Sequence, residues 1–131
     1  MVWLLFTKHC PGCDLRGARL FGADLQQANL QSADLRDANL SEADLSQANL
    51  RDAVLNNCNL TLTNLTAANL TGATLISADL SGASLISANL QTANLQGTAL
   101  RFADLENANL KGANLQQARL DGANLFGTTV K

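Results

Sequence analysis

The clearest capacity for chemistry in this sequence lies in residues 8–13, which read KHCPGC. Two cysteines separated by two residues can form a redox-active pair or supply half of a zinc site. Redox use would need a helix start or a basic neighbour to lower a thiol pKa, and no strand–helix–strand pattern surrounds the pair. Zinc would need four ligands, whereas this stretch offers only His9, Cys10 and Cys13. A metal or redox role is therefore a minor alternative.

Catalysis by other side chains is not indicated. His9 is the only histidine, and the many serines follow a repeat, so a Ser–His–Asp arrangement is not supported. The spacing of the aspartates also follows the repeat and does not pair carboxylates in a cleft. We predict that the protein is not an enzyme, binds no cofactor and has no metal site.

The residues that must position the cysteine motif belong to a five-residue repeat. Leucine occupies every fifth position from Leu15 to Leu125, which gives 23 leucines in one phase. The residue two positions before each leucine is alanine in 19 cases, and the residue just before it is Asp or Asn in 17 cases. The exceptions at the alanine position are all small, namely Cys13, Cys58, Thr63 and Thr98. The repeating unit is therefore Ala-(Asp/Asn)-Leu-X-X.

A five-residue period fits neither a long helix nor a long strand. In a helix with about 3.6 residues per turn, steps of five would scatter the leucines over all sides. In a strand, an odd spacing would point successive leucines to opposite faces. A chain that turns a corner every five residues can bury every leucine and every small residue two positions before it. Asn, Asp, Gly and Ser suit such corners.

The motif A(D/N)LXX resembles that of the pentapeptide-repeat proteins, and the resemblance covers Leu15 to Leu125. That family implies an all-β fold, a right-handed quadrilateral parallel β-helix with four pentads, or about 20 residues, in each of about six coils. We predict an N-terminal cap segment at residues 1–12 and the β-helix at residues 13–130.

The phase of the repeat places all three cysteines inside the coil. Cys10 takes a leucine position, and Cys13 and Cys58 take alanine positions. The favoured interpretation is that these are buried thiols that act as small apolar fillers. A disulfide between Cys10 and Cys13 is the alternative.

Composition and charge argue against several function classes. With 9 Lys and Arg against 11 Asp and Glu, the net charge of −2 indicates no basic surface for direct nucleic-acid binding. No apolar run approaches the roughly 18 residues of a membrane span, so we expect no membrane partner. The apolar start of the chain is short and lacks a basic n-region, so we predict no signal peptide and a cytoplasmic location.

The two ends of the coil are the predicted interaction and capping sites. Solenoids must cover their open ends, and residues 2–6 form the densest apolar cluster, so we expect Trp3 or Phe6 to fill the end of the leucine column. The alternative is that this segment contacts a partner. At the other end, Phe126 and Val130 are the expected contacts of an end-to-end homodimer, as the resemblance implies. The alternative there is a monomer in which residues 128–131 fold over the end.

The outer faces suggest structural ladders more than a specific site. Residues 20 apart would stack, so we expect one row of asparagines, whose side-chain amides bond along the axis, at Asn29, Asn49, Asn69, Asn89 and Asn109. Another face carries an acidic stripe that uncharged residues interrupt, with acidic side chains at Asp24, Asp44, Asp104 and Glu106. Some pentapeptide-repeat proteins bind DNA gyrase by imitating duplex charge, which makes DNA mimicry an alternative function. We predict a non-enzymatic structural or protein-interaction solenoid with a protein partner.

Overall fold

The chain forms one short helix followed by a regular coil. The computed structural model describes residues 2–131, so Met1 of the predicted cap lies outside the described residues. Helix α1 spans Val2–Thr7. Parallel single-residue bridges then join residues 20 positions apart, from His9–Asn29 to Asn109–Thr129. Within residues 2–131 no strand is longer than one bridge.

The bridge register of 20 residues contains four pentads, so each coil has four sides. The predicted all-β, right-handed quadrilateral parallel β-helix is confirmed. The coil already includes His9, so its first turn overlaps the segment 1–12 that the sequence assigned to the cap.

Each corner consists of the two residues after an inward position, and the second of them has a left-handed backbone. Its φ lies between 56° and 72° at every corner from Gly12 to Gly127. The carbonyl before the corner accepts a hydrogen bond from the N–H three residues later at 2.9–3.3 Å, as Leu30 O does from Ala33 N. This is the pattern of a turn that needs positive φ at its third residue. Fifteen of these corner residues are not glycine, so the stacked coils impose a conformation that L-residues disfavour.

The Asp or Asn before each leucine has a specific structural task. In all 17 cases its Oδ1 accepts a hydrogen bond from the N–H two residues later, at 2.9–3.2 Å. That N–H belongs to the first corner residue. The motif residue therefore pairs a backbone donor as the chain leaves each side.

Leucine side chains form the core, as the repeat predicts. Every repeat leucine from Leu30 to Leu105 is at most 1% exposed. Burial of each such side chain contributes about 2 kcal/mol. Exposure increases toward the last coil, where Leu115 and Leu120 are half-buried and Leu125 is exposed.

Four inward positions carry a polar side chain in place of alanine, and all four make the same contact. Each donates a hydrogen bond to the carbonyl oxygen of a core leucine 23 residues earlier, at 2.7–3.0 Å. The donors are Cys58, Thr63, Thr98 and Thr128. That carbonyl already accepts the corner N–H, so the side chain uses its second lone pair.

The N-terminal end of the coil is covered by Leu4, not by Trp3 or Phe6. Leu4 is 1% exposed, and it is the one buried residue of α1. The prediction that Trp3 or Phe6 fills the leucine column is therefore wrong. A helix turns about 100° per residue, so a helix of under two turns directs few side chains toward one surface. Leu5, which continues the five-residue phase, is exposed because the repeat does not extend into α1.

Candidate functional site

The outer side of α1 presents aromatic residues to solvent. Trp3 is 56% exposed and Phe6 is 86% exposed, and Val2 beside them is also exposed. Lys8, the residue after α1, joins it to the coil: its ammonium group lies 2.9 Å from Asp24 Oδ1, and its carbonyl oxygen accepts the Asn29 N–H at 2.8 Å. This end therefore combines an apolar outer surface with a light attachment to the coil.

A disulfide joins Cys10 and Cys13 at the first corner of the coil, which begins three residues after the end of α1. The expected pair of reduced filler thiols is therefore wrong for these two cysteines, although both positions are inward as predicted: Cys10 is buried and Cys13 is half-buried. The backbone supports the pair, because Cys10 N–H donates to Asn29 O at 2.8 Å. Cys58 is the free cysteine, and its burial raises the pKa of its thiol to about 12.

The opposite end of the coil is also apolar. Phe126 is 74% exposed, Val130 is 57% exposed and Leu125 is 45% exposed. About six coils at roughly 4.8 Å each separate this end from α1. The structure therefore places the predicted residues at two separate sites: Trp3 with Phe6 at one end, and Phe126 with Val130 at the other.

One face of the first two coils carries two Arg–Asp pairs. Arg16 Nη2 lies 2.7 Å from Asp14 Oδ2, and Arg36 Nη2 lies 2.6 Å from Asp34 Oδ2. The hydrogen bond from Arg16 lowers the pKa of Asp14 to about 2, and the bond from Arg36 lowers that of Asp34. Each arginine is paired with an aspartate, so this face offers a partner little unpaired charge.

The acidic stripe is weaker than its residue types suggest. Lys8 forms an ion pair with Asp24 and lowers its pKa. The amide of Asn64 donates to Asp44 Oδ1 at 3.2 Å, and that of Asn124 donates to Asp104 Oδ1 at 3.0 Å. Because Lys8 offsets the charge of Asp24, and the uncharged Asn64 and Ser84 lie between Asp44 and Asp104, the stripe lacks the continuous negative field of a duplex.

The asparagine ladder does not form as predicted. Only Asn49 donates to the asparagine one coil away on this face, to Asn29 Oδ1 at 3.4 Å, among residues 2–131. The Oδ1 atoms instead accept the backbone N–H two residues later, as Asn69 does from Thr71. Closing the corner competes with bonding along the axis, and the local contact prevails.

Three exposed apolar side chains occupy one corner of the coil: Phe21, Leu62 and Phe102. They are two coils apart, or roughly 10 Å. An ideal Cβ built on Gly82 would lie 2.7 Å from Leu62 Cδ2, so Leu62 lies along the corner over that glycine. These side chains are separate spots and not one patch.

Residues 2–131 show no enclosed site. No pocket is detected in this part of the chain, and no cluster of His, Cys, Asp and Glu there could hold a metal ion. Within the same residues, no helix reaches the length and apolarity that a membrane span requires.

Two features of the candidate site were not predicted. Leu4 gives no distinctive signal, since it lies in an unbroken apolar run, VWLLF, where helical phase cannot be assigned. The disulfide was only an alternative, because reduced and oxidised cysteines both fit inward positions. The sequence feature that indicated a disulfide was the spacing of Cys10 and Cys13, with two residues between them.

The four-sided coil of pentads with apolar ends defines a class of repeat solenoid. A family model described as "Pentapeptide repeat region" matches residues 48–125, more than half of the chain, and one described as "Pentapeptide repeats (8 copies)" matches residues 9–37. The chain belongs to the pentapeptide repeat family. It matches no curated protein sequence.

Several solved structures are similar to this chain. A pentapeptide repeat protein, Rfr23, from the cyanobacterium Cyanothece 51142 is 32% identical, with 99% of this chain and 97% of that chain covered and a TM-score of 0.49. A pentapeptide repeat protein from the thylakoid lumen of Arabidopsis thaliana is 30% identical, with 69% and 59% covered and a TM-score of 0.52. HetL from Nostoc sp. strain PCC 7120, described as involved in heterocyst differentiation regulation, is 35% identical, with 92% and 62% covered and a TM-score of 0.34. This chain thus spans less than two thirds of the latter two.

Proposed function

We propose that this pentapeptide repeat protein is a non-catalytic interaction module that docks a protein partner on the outer side of α1. The observation that carries the proposal is the exposure of Trp3 and Phe6 beside a coil whose other apolar residues are mostly buried. Aromatic side chains exposed together are typical of binding surfaces, since they bury large apolar area at low entropic cost.

The flat faces support the same proposal by contrast. Their Asp and Asn side chains already accept corner N–H groups, and Arg16 and Arg36 pair with neighbouring aspartates. A partner would have to displace these bonds to bind there. A partner at α1 would instead cover apolar surface that water contacts now.

The test is a quantitative pull-down followed by binding measurements with the captured partner. We expect Trp3→Ser combined with Phe6→Ser to lower capture at least about tenfold, as loss of two central aromatic contacts does. The matched control is Phe21→Ser combined with Phe102→Ser, which removes two exposed aromatics from the corner of the coil. Equal loss in both variants, or in neither, would reject α1 as the docking surface.

A second proposal concerns the other end of the coil, where we infer self-association. Leu125, Phe126 and Val130 are exposed together at this end, at 45%, 74% and 57%. Pairing with a second copy would cover these apolar side chains. Sedimentation equilibrium tests this: we expect a dimer for the native chain and a monomer for Phe126→Ser with Val130→Ser. A native monomer at high micromolar concentration would reject the proposal.

Two further predictions stand as weaker proposals. DNA mimicry lacks support from the acidic stripe, because Lys8 pairs with Asp24 and the uncharged Asn64 and Ser84 separate Asp44 from Asp104. A supercoiling assay with purified gyrase tests it directly, and we expect no inhibition.

The Cys10–Cys13 disulfide argues against the predicted cytoplasmic location, since disulfides persist mainly in oxidising compartments.

A further inference from the structure

The Cys10–Cys13 corner differs from the others described in residues 2–131 because it is closed by a covalent bond as well as a backbone bond. Its backbone bond, Cys13 N–H to Cys10 O, is 3.3 Å, whereas the next corner has Ala18 N–H to Leu15 O at 3.0 Å. This corner also lies closest to α1 along the chain, because only Lys8 and His9 separate Thr7 from Cys10.

Helix α1 depends on the surface beneath it. Leu4 is its one buried residue, whereas Val2, Trp3, Leu5 and Phe6 are all exposed. A six-residue helix is not stable alone, because nucleation costs more than so few bonds return. Leu4 and Cys10 are both buried, and only Lys8 and His9 separate the last residue of α1 from Cys10. A change in the volume of the cysteine pair therefore acts on the short segment that leads into α1 and positions Leu4.

Reduction changes that volume. Two thiol sulfurs must lie farther apart than two bonded sulfurs, because they are then in nonbonded contact. The coil side of the pair cannot yield easily, since Cys10 N–H bonds to Asn29 O at 2.8 Å and Asp34 N–H bonds to Cys13 O at 2.9 Å. Within residues 2–131, no backbone bond joins α1 itself to the coil.

We propose that the Cys10–Cys13 disulfide is a redox switch that holds α1 on the first coil when oxidised and releases it when reduced. Release would uncover Leu4, which is 1% exposed when α1 is in place, and the end of the leucine column. The proposed switch concerns only the position of α1 on the coil. It can therefore be correct or wrong whether or not a partner binds Trp3 and Phe6.

The exchange step takes a dithiol as the reductant. Its first thiolate attacks Sγ of Cys13, which is half-buried beside the exposed residues Pro11 and Gly12. The Cys10–Cys13 bond breaks, and Sγ of Cys10 leaves with the electron pair and takes a proton. The second thiolate of the reductant then displaces Sγ of Cys13, which is protonated in turn. The reductant leaves as a cyclic disulfide, oxidised by two electrons, and the chain holds two new thiols.

Limited trypsin digestion of the full chain, with and without dithiothreitol, tests the switch. Mass spectrometry follows cleavage after Lys8, next to α1, and after Arg101 in the coil. We expect reduction to accelerate cleavage after Lys8 about tenfold or more, because cleavage follows local opening. Cleavage after Arg101 should stay unchanged and reports that the coil is intact. Thiol titration after unfolding in urea must rise from one group per chain to three, since Cys58 is free in both states and is buried in the folded chain. Three thiols with unchanged cleavage after Lys8 would overturn the proposal.

Two variants separate the disulfide from other effects of the reductant. Cys10→Ser with Cys13→Ser should be cleaved fast after Lys8 in both conditions, and protection equal to that of the oxidised native chain would overturn the proposal. Cys10→Leu with Cys13→Ala restores the repeat residues at both positions. Its cleavage rate should not respond to dithiothreitol, and a response as large as that of the native chain would place the effect elsewhere and overturn the switch.

Discussion

The hydroxyl of Thr63 donates a hydrogen bond to the carbonyl oxygen of Leu40, 2.8 Å away, inside the coil. The same carbonyl accepts the N–H of Ala43 at the corner, so both of its lone pairs are used. A polar residue at an alanine position is thus compatible with an apolar column, because the backbone offers an acceptor at that point in every coil.

Replacement of Thr63 by valine keeps the shape of the side chain and removes the donor. We expect Thr63→Val to lower the free energy of unfolding by about 1 kcal/mol, the usual net value of a buried hydrogen bond. Urea unfolding followed by circular dichroism measures it. Thr98→Val removes the matching bond to Leu75 O and should cost a similar amount. A gain of stability in both variants would show that these bonds contribute nothing.

The Oδ1 of Asn69 accepts both the N–H of Thr71 at 3.1 Å and its hydroxyl at 2.7 Å. Because Asn69→Ala leaves that N–H unpaired, we expect a loss of about 1 kcal/mol, comparable to loss of a helix cap. Asn69→Asp keeps the acceptor and should change stability by less than about half of that. An equal loss of stability in the two variants would mean that the Oδ1 acceptor does not account for the contribution of Asn69.

The thiol of Cys58 should be inert in the folded chain. It is buried, donates to Leu35 O at 2.7 Å, and has its pKa raised to about 12. Since the thiolate is the nucleophile, alkylation by iodoacetamide at neutral pH should be at least about a hundredfold slower than for an exposed cysteine. Mass spectrometry follows the reaction, and the same chain in urea provides the reactive control. Rapid labelling of the native oxidised chain would contradict the burial of this side chain.

Asp14 should titrate well below an ordinary aspartate. Arg16 lowers its pKa to about 2 from 3.8, so the folded chain holds this carboxylate charged where the unfolded chain would bind a proton. Its contribution to stability is therefore full above pH 3.8 and is lost as the pH falls through about 2. NMR titration of the carboxyl carbon gives the midpoint. Arg16→Gln should move that midpoint upward, and no movement would show that another group sets it.

Glycines at the corners separate backbone strain from steric contact. Gly82 and Gly97 have nearly the same φ, 68° and 67°, but only Gly82 lies under a large side chain, Leu62. We expect alanine at either position to cost about 1 kcal/mol from the left-handed backbone. Gly82→Ala should cost slightly more, because the flexible tip of Leu62 must move. Thermal unfolding of the two variants measures the difference, and a harmless Gly97→Ala would refute the strain argument.

Much of this fold follows from the sequence because one period dictates one direction for each side chain. The inward leucines and the small residues two positions before them are predicted correctly. The bond from Thr63 to Leu40 could not be predicted, since it spans 23 residues and depends on a coil length that only the family resemblance supplied. The cap residue Leu4 could not be predicted either, because the repeat stops before α1 and every neighbour is equally apolar.

The four-sided cross-section gives the chain a simple geometric property. Every side is built from the same five-residue unit, so deleting one unit from the middle of the coil would preserve the interior and turn everything beyond it by about a quarter of a revolution. The direction in which Phe126 projects, seen down the axis from Trp3, is therefore set by the number of pentads between them. In a coil built this way, the gain or loss of five residues rotates one end relative to the other and leaves the packing of the core unchanged.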